Sequence, residues 1–177
     1  MVRTVDVCQR SSGSLRLAAM WLLAMPTLGG CAPPAGDASP PLNPPTASSI
    51  TAIALERDCS GCPVGSVLTL GRDGTASYTL TGKARLGTED QRFRGSIAAQ
   101  DFDRLARLAV AQGFFELRDE YADPETQDGP WASLDIARGE PHKQVFRRGD
   151  AGPAALKTLE AAIEAARLRI KFAPDHR

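Results

Sequence analysis

Two cysteines with two residues between them, Cys59-Ser60-Gly61-Cys62, are the side chains of this 177-residue chain best placed to do chemistry. Thiols at that spacing can form a structural disulfide, exchange disulfides with Cys59 attacking and Cys62 resolving, or supply half of a metal site. Exchange enzymes hold the attacking cysteine at a helix N-terminus, where the dipole lowers its pKa. Here Pro63 and a strand-like pattern follow, so a structural disulfide is the leading expectation and redox activity the alternative. Zinc would need about two further ligands, and the only histidines are His142, within a strand-like stretch, and His176, at the tail. No metal and no cofactor is expected. Asp119, Glu120, Asp123, Glu125 and Asp128 offer oxygen ligands, but their spacing matches no EF-hand loop, and a solvated loop is the favoured reading. A Gly-x-Ser-x-Gly elbow and a glycine-rich phosphate loop are both absent, and Gly71, Gly74 and Gly82 read as turn residues. His142, beside Lys143, reads as exposed. The sequence therefore predicts a protein that is not an enzyme. Aromatics beside a polar loop are common interface anchors. Tyr121 with Asp123 and Asp128 is thus the candidate interaction surface, while Trp131, which opens a strand pattern, is read as core.

The first 16 residues are polar and carry Arg3, Arg10 and Arg16 against Asp6, and the apolar run 17–28 follows. That is the order of a signal peptide's n-region and h-region. The run contains Pro26 and falls short of the roughly 20 residues that a permanent span needs, so residues 1–30 are predicted to be removed. Leu28-Gly29-Gly30-Cys31 resembles the lipobox of bacterial lipoproteins, which implies acylation of Cys31 and attachment to a membrane through it. Ala32 is not an aspartate, and by resemblance to enterobacterial lipoproteins this implies the outer membrane, facing the periplasm. Stable anchoring takes more than one acyl chain, and a triacylated Cys31 would provide it.

Loss of three arginines and one aspartate takes Lys+Arg from 21 to 18 and Asp+Glu from 21 to 20. So balanced a chain lacks the basic footprint of a nucleic-acid binder and the polybasic patch of an electrostatic membrane contact. Residues 31–49 are rich in proline, alanine and serine, with Leu42 as the one large apolar side chain. Such a segment buries too little to fold and reads as an extended tether. Residues 50–177 have the size of one domain.

Within that domain, residues 50–57 alternate, with Thr51, Ile53, Leu55 and Arg57 on one face. Residues 64–71 and 76–81 alternate likewise across an Asp73-Gly74 hairpin turn, and residues 91–97 suggest a fourth strand. Phe102, Leu105, Leu108 and Ala109 mark a helix over 99–112 that Gly113 stops, and Phe114, Phe115 and Leu117 follow as an apolar knot. A second hairpin spans 131–137 and 142–147. In the last helix, begun by Gly152-Pro153, Leu156, Leu159, Ile163, Ala166 and Ile170 form the inner stripe, with Lys157, Glu160, Glu164 and Arg167 outside. Together these elements predict an α+β domain: an antiparallel sheet of about five to six strands covered on one face by two helices.

The order of the opening strand, the Cys59-Ser60-Gly61-Cys62-Pro63 box, the Asp73-Gly74 turn before Tyr78, Phe114-Phe115, Tyr121, and Asp128 before Pro130 resembles a bacterial domain-of-unknown-function family of secreted proteins and lipoproteins. The resemblance implies the fold and the compartment and brings no activity with it. The chain has one residue fewer between its cysteines than that family's box, and Gly65 stands where the family has an aromatic. The sequence thus predicts a lipid-anchored envelope protein with a non-enzymatic binding or scaffolding domain for an unknown envelope protein or ligand. A thiol–disulfide active protein and an inhibitor of an envelope enzyme are the alternatives.

Overall fold

The computed structural model of the chain describes residues 44–122, 125 and 128–175. The predicted signal peptide, Cys31, most of the tether and Asp123 lie outside the described residues. Ten elements follow in order: β1 (Ala52–Cys59), β2 (Gly65–Gly71), β3 (Thr75–Thr81), β4 (Gln91–Ser96), α1 (Ala99–Ala111), β5 (Glu120–Tyr121), β6 (Pro130–Ala137), β7 (His142–Arg148), α2 (Ala154–Arg169) and β8 (Ala173–Pro174). The strands form one sheet in the order β5-β7-β6-β1-β2-β3-β4-β8. Every pairing is antiparallel except β5 with β7. The domain is α+β, but with eight strands its sheet is larger than the sequence predicts. The additional strands, β5 and β8, are two residues long, too short to show alternation.

Why the chain turns where it does is plain at Asp73-Gly74. Gly74 has φ +87°, which costs a residue without Cβ nothing, and Asp73 accepts hydrogen bonds from the Thr75 amide and hydroxyl. The four-stranded meander β1 to β4 is then followed by α1, and the chain returns to the far side of β1 as the β6–β7 hairpin.

The register sorts the sheet's inner face into rungs that cross the strands. Ile53 lies opposite Leu70 and Ile136, and Leu55 opposite Leu68 and Leu134. All of these are buried. They share one core with Phe102, Leu105, Ala106 and Ala109 of α1 and with Leu156, Leu159, Ile163 and Ala166 of α2. Each fully buried Leu, Ile or Phe contributes about 1.5–3 kcal/mol, so this face holds the fold together. Phe114 is buried, and Phe115 packs edge-on against it. The next rung differs. Arg57 stands between Ser66 and Ala132, Ser66 faces Leu80, and Ala132 faces Arg147. Two guanidinium groups thus flank a small alanine where the apolar core ends.

Ahead of β1, a 3-10 turn at Ala47–Ser49 is fastened by Arg72, the first residue of the β2–β3 turn. Arg72 donates to the carbonyls of Ala47 and Ile50 and pairs with Asp103 of α1 at 2.8 Å. Its guanidinium also lies 5.0 Å over the Phe102 ring.

Candidate functional site

Cys59 ends β1, and its disulfide to Cys62 closes the connection to β2, with Cα atoms 5.2 Å apart. The loop between β3 and β4 wraps this corner. Lys83 Nζ donates to the Cys59 carbonyl at 2.6 Å, Arg85 to the Ser60 carbonyl at 3.0 Å, and the Thr88 hydroxyl to the Pro63 carbonyl at 2.9 Å. Gly82 is required at the base of that loop, because a Cβ there would collide with the Thr88 carbonyl oxygen and the Glu89 backbone. From the other side the Ser60 hydroxyl donates to Asp128 at 3.1 Å. Asp58 lies close to Gly65, whose missing side chain leaves room for the carboxylate. Burial works to raise the Asp58 carboxyl. Hydrogen bonds from Lys83 and the Cys59 amide, with the charges of Lys83 and Arg85, outweigh it and hold the group below its ordinary value.

Beside this corner, on the inner face just past the core, lies an open cleft of about 640 Å³. Val64, Leu80, Ala132, Pro130 and the Cys59–Cys62 bridge give it an apolar lining, and Arg57 and Arg147 supply its charge. The arginines meet on Glu160 of α2, which is only 2% exposed. Arg147 grips it through two nitrogens, Nε to Oε1 and Nη2 to Oε2, both at 2.6 Å. Arg57 Nη2 reaches the same Oε2 at 3.2 Å. The hydrogen bonds to Glu160 raise the Arg147 guanidinium above its ordinary pKa, keeping it charged. Glu164 Oε2 is 4.0 Å from Arg57 Nη1, while its Oε1 is held by Arg167 at 2.6–2.7 Å. Arg57 is therefore the least compensated cation of the group. Its Nε is buried with no hydrogen-bond partner among the described residues.

Of the residues singled out from sequence, Cys59, Cys62 and Asp128 converge on one corner. Tyr121 does not join them. It pairs with Arg147 in the β5–β7 ladder, but its hydroxyl accepts from the Arg118 amide at 3.2 Å and its ring lies under the Arg118 guanidinium, 4.6 Å away. Trp131, expected in the core, is half-buried on the opposite face of β6 from Ala132 and Leu134, 5.8 Å from the Phe146 ring. Glu160, expected outside, is buried between the two arginines. His142 is exposed and contacts Asp135 at 2.8 Å. Arg57, Arg147 and Glu160 are the site residues that sequence reasoning missed. Their signal was positional. Arg57 shares the parity of Ile53 and Leu55, Arg147 that of Val145, and Glu160 follows Leu156 by one helical turn.

Among the described residues no group of three or more histidine, cysteine or acidic side chains is placed to hold a metal ion. None of the described helices is long and apolar enough to cross a membrane. Neither a protein-family model nor a curated protein matches the chain.

Proposed function

We propose that the protein is a lipid-anchored component of the cell envelope, held at the outer membrane by acylated Cys31, and that its domain is a non-enzymatic binding module whose ligand occupies the cleft beside the disulfide corner. The observation that carries the reading is the cleft itself. It combines a volume of about 640 Å³, an apolar lining and two convergent cations, the usual make-up of a small-molecule site. The disulfide and the three capped carbonyls make its rim rigid, and a rigid rim lowers the ordering cost of binding. Thiol exchange has weaker support, because neither cysteine stands at a helix N-terminus.

The test is native and intact mass measurement of the protein recovered from membranes of its own cells. Acylated Cys31, together with a bound small molecule that Val64→Trp abolishes, is the expected result. An unmodified N-terminus overturns the anchoring. Alkylation of Cys59 or Cys62 in the folded protein after mild reduction, with no bound molecule, puts thiol exchange in front.

A further inference from the structure

We infer that the cleft takes an amphipathic monoanion, a small organic carboxylate whose headgroup sits on Arg57 and whose hydrocarbon body lies along Val64, Leu80 and Ala132; this rests on the cleft being a ligand site. The charge balance of the wall selects the headgroup. Both oxygens of Glu160 are occupied by Arg147 at 2.6 Å, so among the described residues Arg57 makes one hydrogen bond, at 3.2 Å, for five N–H donors. The second acid within range, Glu164, turns its Oε2 toward Arg57 at 4.0 Å, beyond hydrogen-bond reach, while Arg167 holds its Oε1. Asp58, the acid that lines the cleft, is neutralised by Lys83 at 2.8 Å. Two guanidinium groups therefore share one buried carboxylate, and the surplus positive charge lies at the end of an apolar cleft. A carboxylate there would accept from the Nη hydrogens of Arg57 that Glu160 leaves unpaired, in the charge-assisted geometry that makes such bonds strong. A cation would be repelled there, and a neutral headgroup could accept a hydrogen bond but would leave the positive charge unbalanced. One negative charge balances the surplus, because the second cation of the lining, Arg147, is already matched by Glu160.

The experiment uses the mature chain from position 31 carrying Cys31→Ser, so that neither the apolar run 17–28 nor acyl group nor detergent competes, and three probes with one tail: octanoate, octanol and octyltrimethylammonium. Amide shifts of Gly65 and Ala132, both at the cleft, report occupancy. Octanoate should bind at least about tenfold more tightly than octanol, the scale set by one charge-assisted hydrogen bond, and octyltrimethylammonium more weakly still. Arg57→Met, which keeps the packed stem, should erase the preference for octanoate, and Arg57→Lys should retain part of it. Equal binding of octanoate and octanol, both lost in Val64→Trp, would overturn the anionic class and leave the cleft standing as a site. Absence of binding by all three probes, or binding indifferent to Val64→Trp, would overturn the cleft reading as well. The comparison of headgroups on the unsubstituted cleft decides the class even if a variant at Arg57 fails to fold.

Discussion

Replacing Glu160 by glutamine removes a negative charge while keeping the side chain's shape, and the hydrogen-bond pattern sets what this costs. Oε1 accepts from Arg147 Nε, and Oε2 accepts from Arg147 Nη2 and Arg57 Nη2. Whichever way the new amide turns, its NH₂ group meets a guanidinium N–H, so at least one bond becomes a donor–donor contact. Breaking a fully buried ion pair from one side costs about 3–5 kcal/mol. Here the arginine side chains keep 18% and 36% of their surface in water, so they recover part of that, and a loss of about 2–3 kcal/mol is expected. For a domain of this size it corresponds to a fall in Tm of about 6–12 °C. Urea unfolding followed by far-UV circular dichroism measures it, with the midpoint moving and the slope unchanged. Glu164→Gln is the internal control. Glu164 is one-third exposed and pairs with Arg167 three residues on, so its loss should cost at most about 0.5–1 kcal/mol. If the two variants lose the same amount, or Glu160→Gln loses less than about 0.5 kcal/mol, the triad does not fasten α2 to the sheet and the charge reasoning for the cleft falls with it.

Removing the disulfide in a Cys59→Ser, Cys62→Ser variant should lower stability by about 2 kcal/mol, the chain-entropy value for so short a loop; denaturant midpoints test this, and an unchanged midpoint would refute it. Asp58→Asn should show a pH signature. Because the folded carboxyl sits below its ordinary value, it stabilises the fold fully above about pH 4 and that contribution disappears as pH falls through the depressed pKa. The Tm gap between the native chain and Asp58→Asn should therefore be widest near neutrality and narrow below about pH 4, and a gap that widens on acidification would contradict the assignment. Gly82→Ala drives a Cβ into the Thr88 carbonyl. It should cost about 1–3 kcal/mol and speed amide exchange at Cys62, which faster exchange confined to β4 would argue against.

Periodicity made the elements legible and left their long-range partners hidden. The spacing of Leu156, Leu159, Ile163 and Ala166 located the buried stripe of α2. The same helical reading put Glu160 outside, since an acid is ordinarily solvated. What buries it comes from strands 103 and 13 residues away along the chain, a fact no local pattern contains. Trp131 shows the opposite case. Ala132, Leu134 and Ile136 already fixed the inner face of β6, so parity assigns Trp131 to the outer one, and its hydrophobicity misled. β8 pairs with Phe93 and Arg94, and β5 with Phe146 and Arg147 through Glu120 and Tyr121; pairings so short are decided by where α2 and the preceding loop deliver the chain. Asp128 stands 68 residues beyond Ser60, and their meeting is a product of topology, with β6 laid against β1.

Arg72 also determines how the domain bears mechanical load. The backbone leading to β1 is fastened at the Ala47 and Ile50 carbonyls by this side chain, with the Ile50 side chain buried in the core behind it, and Arg72 is itself tied to α1 through Asp103. Tension arriving along the preceding segment meets that fastening before it reaches any strand. Behind it lies β1, laddered on one side to β2 and on the other to β6, so extracting the strand means tearing two rows of hydrogen bonds. A domain pulled from its N-terminal side should hold at Arg72 first and yield late, whereas the edge strand β8, held to β4 by a two-residue ladder and the Asp175 contacts to Arg92 and Arg94, would peel under a far smaller force.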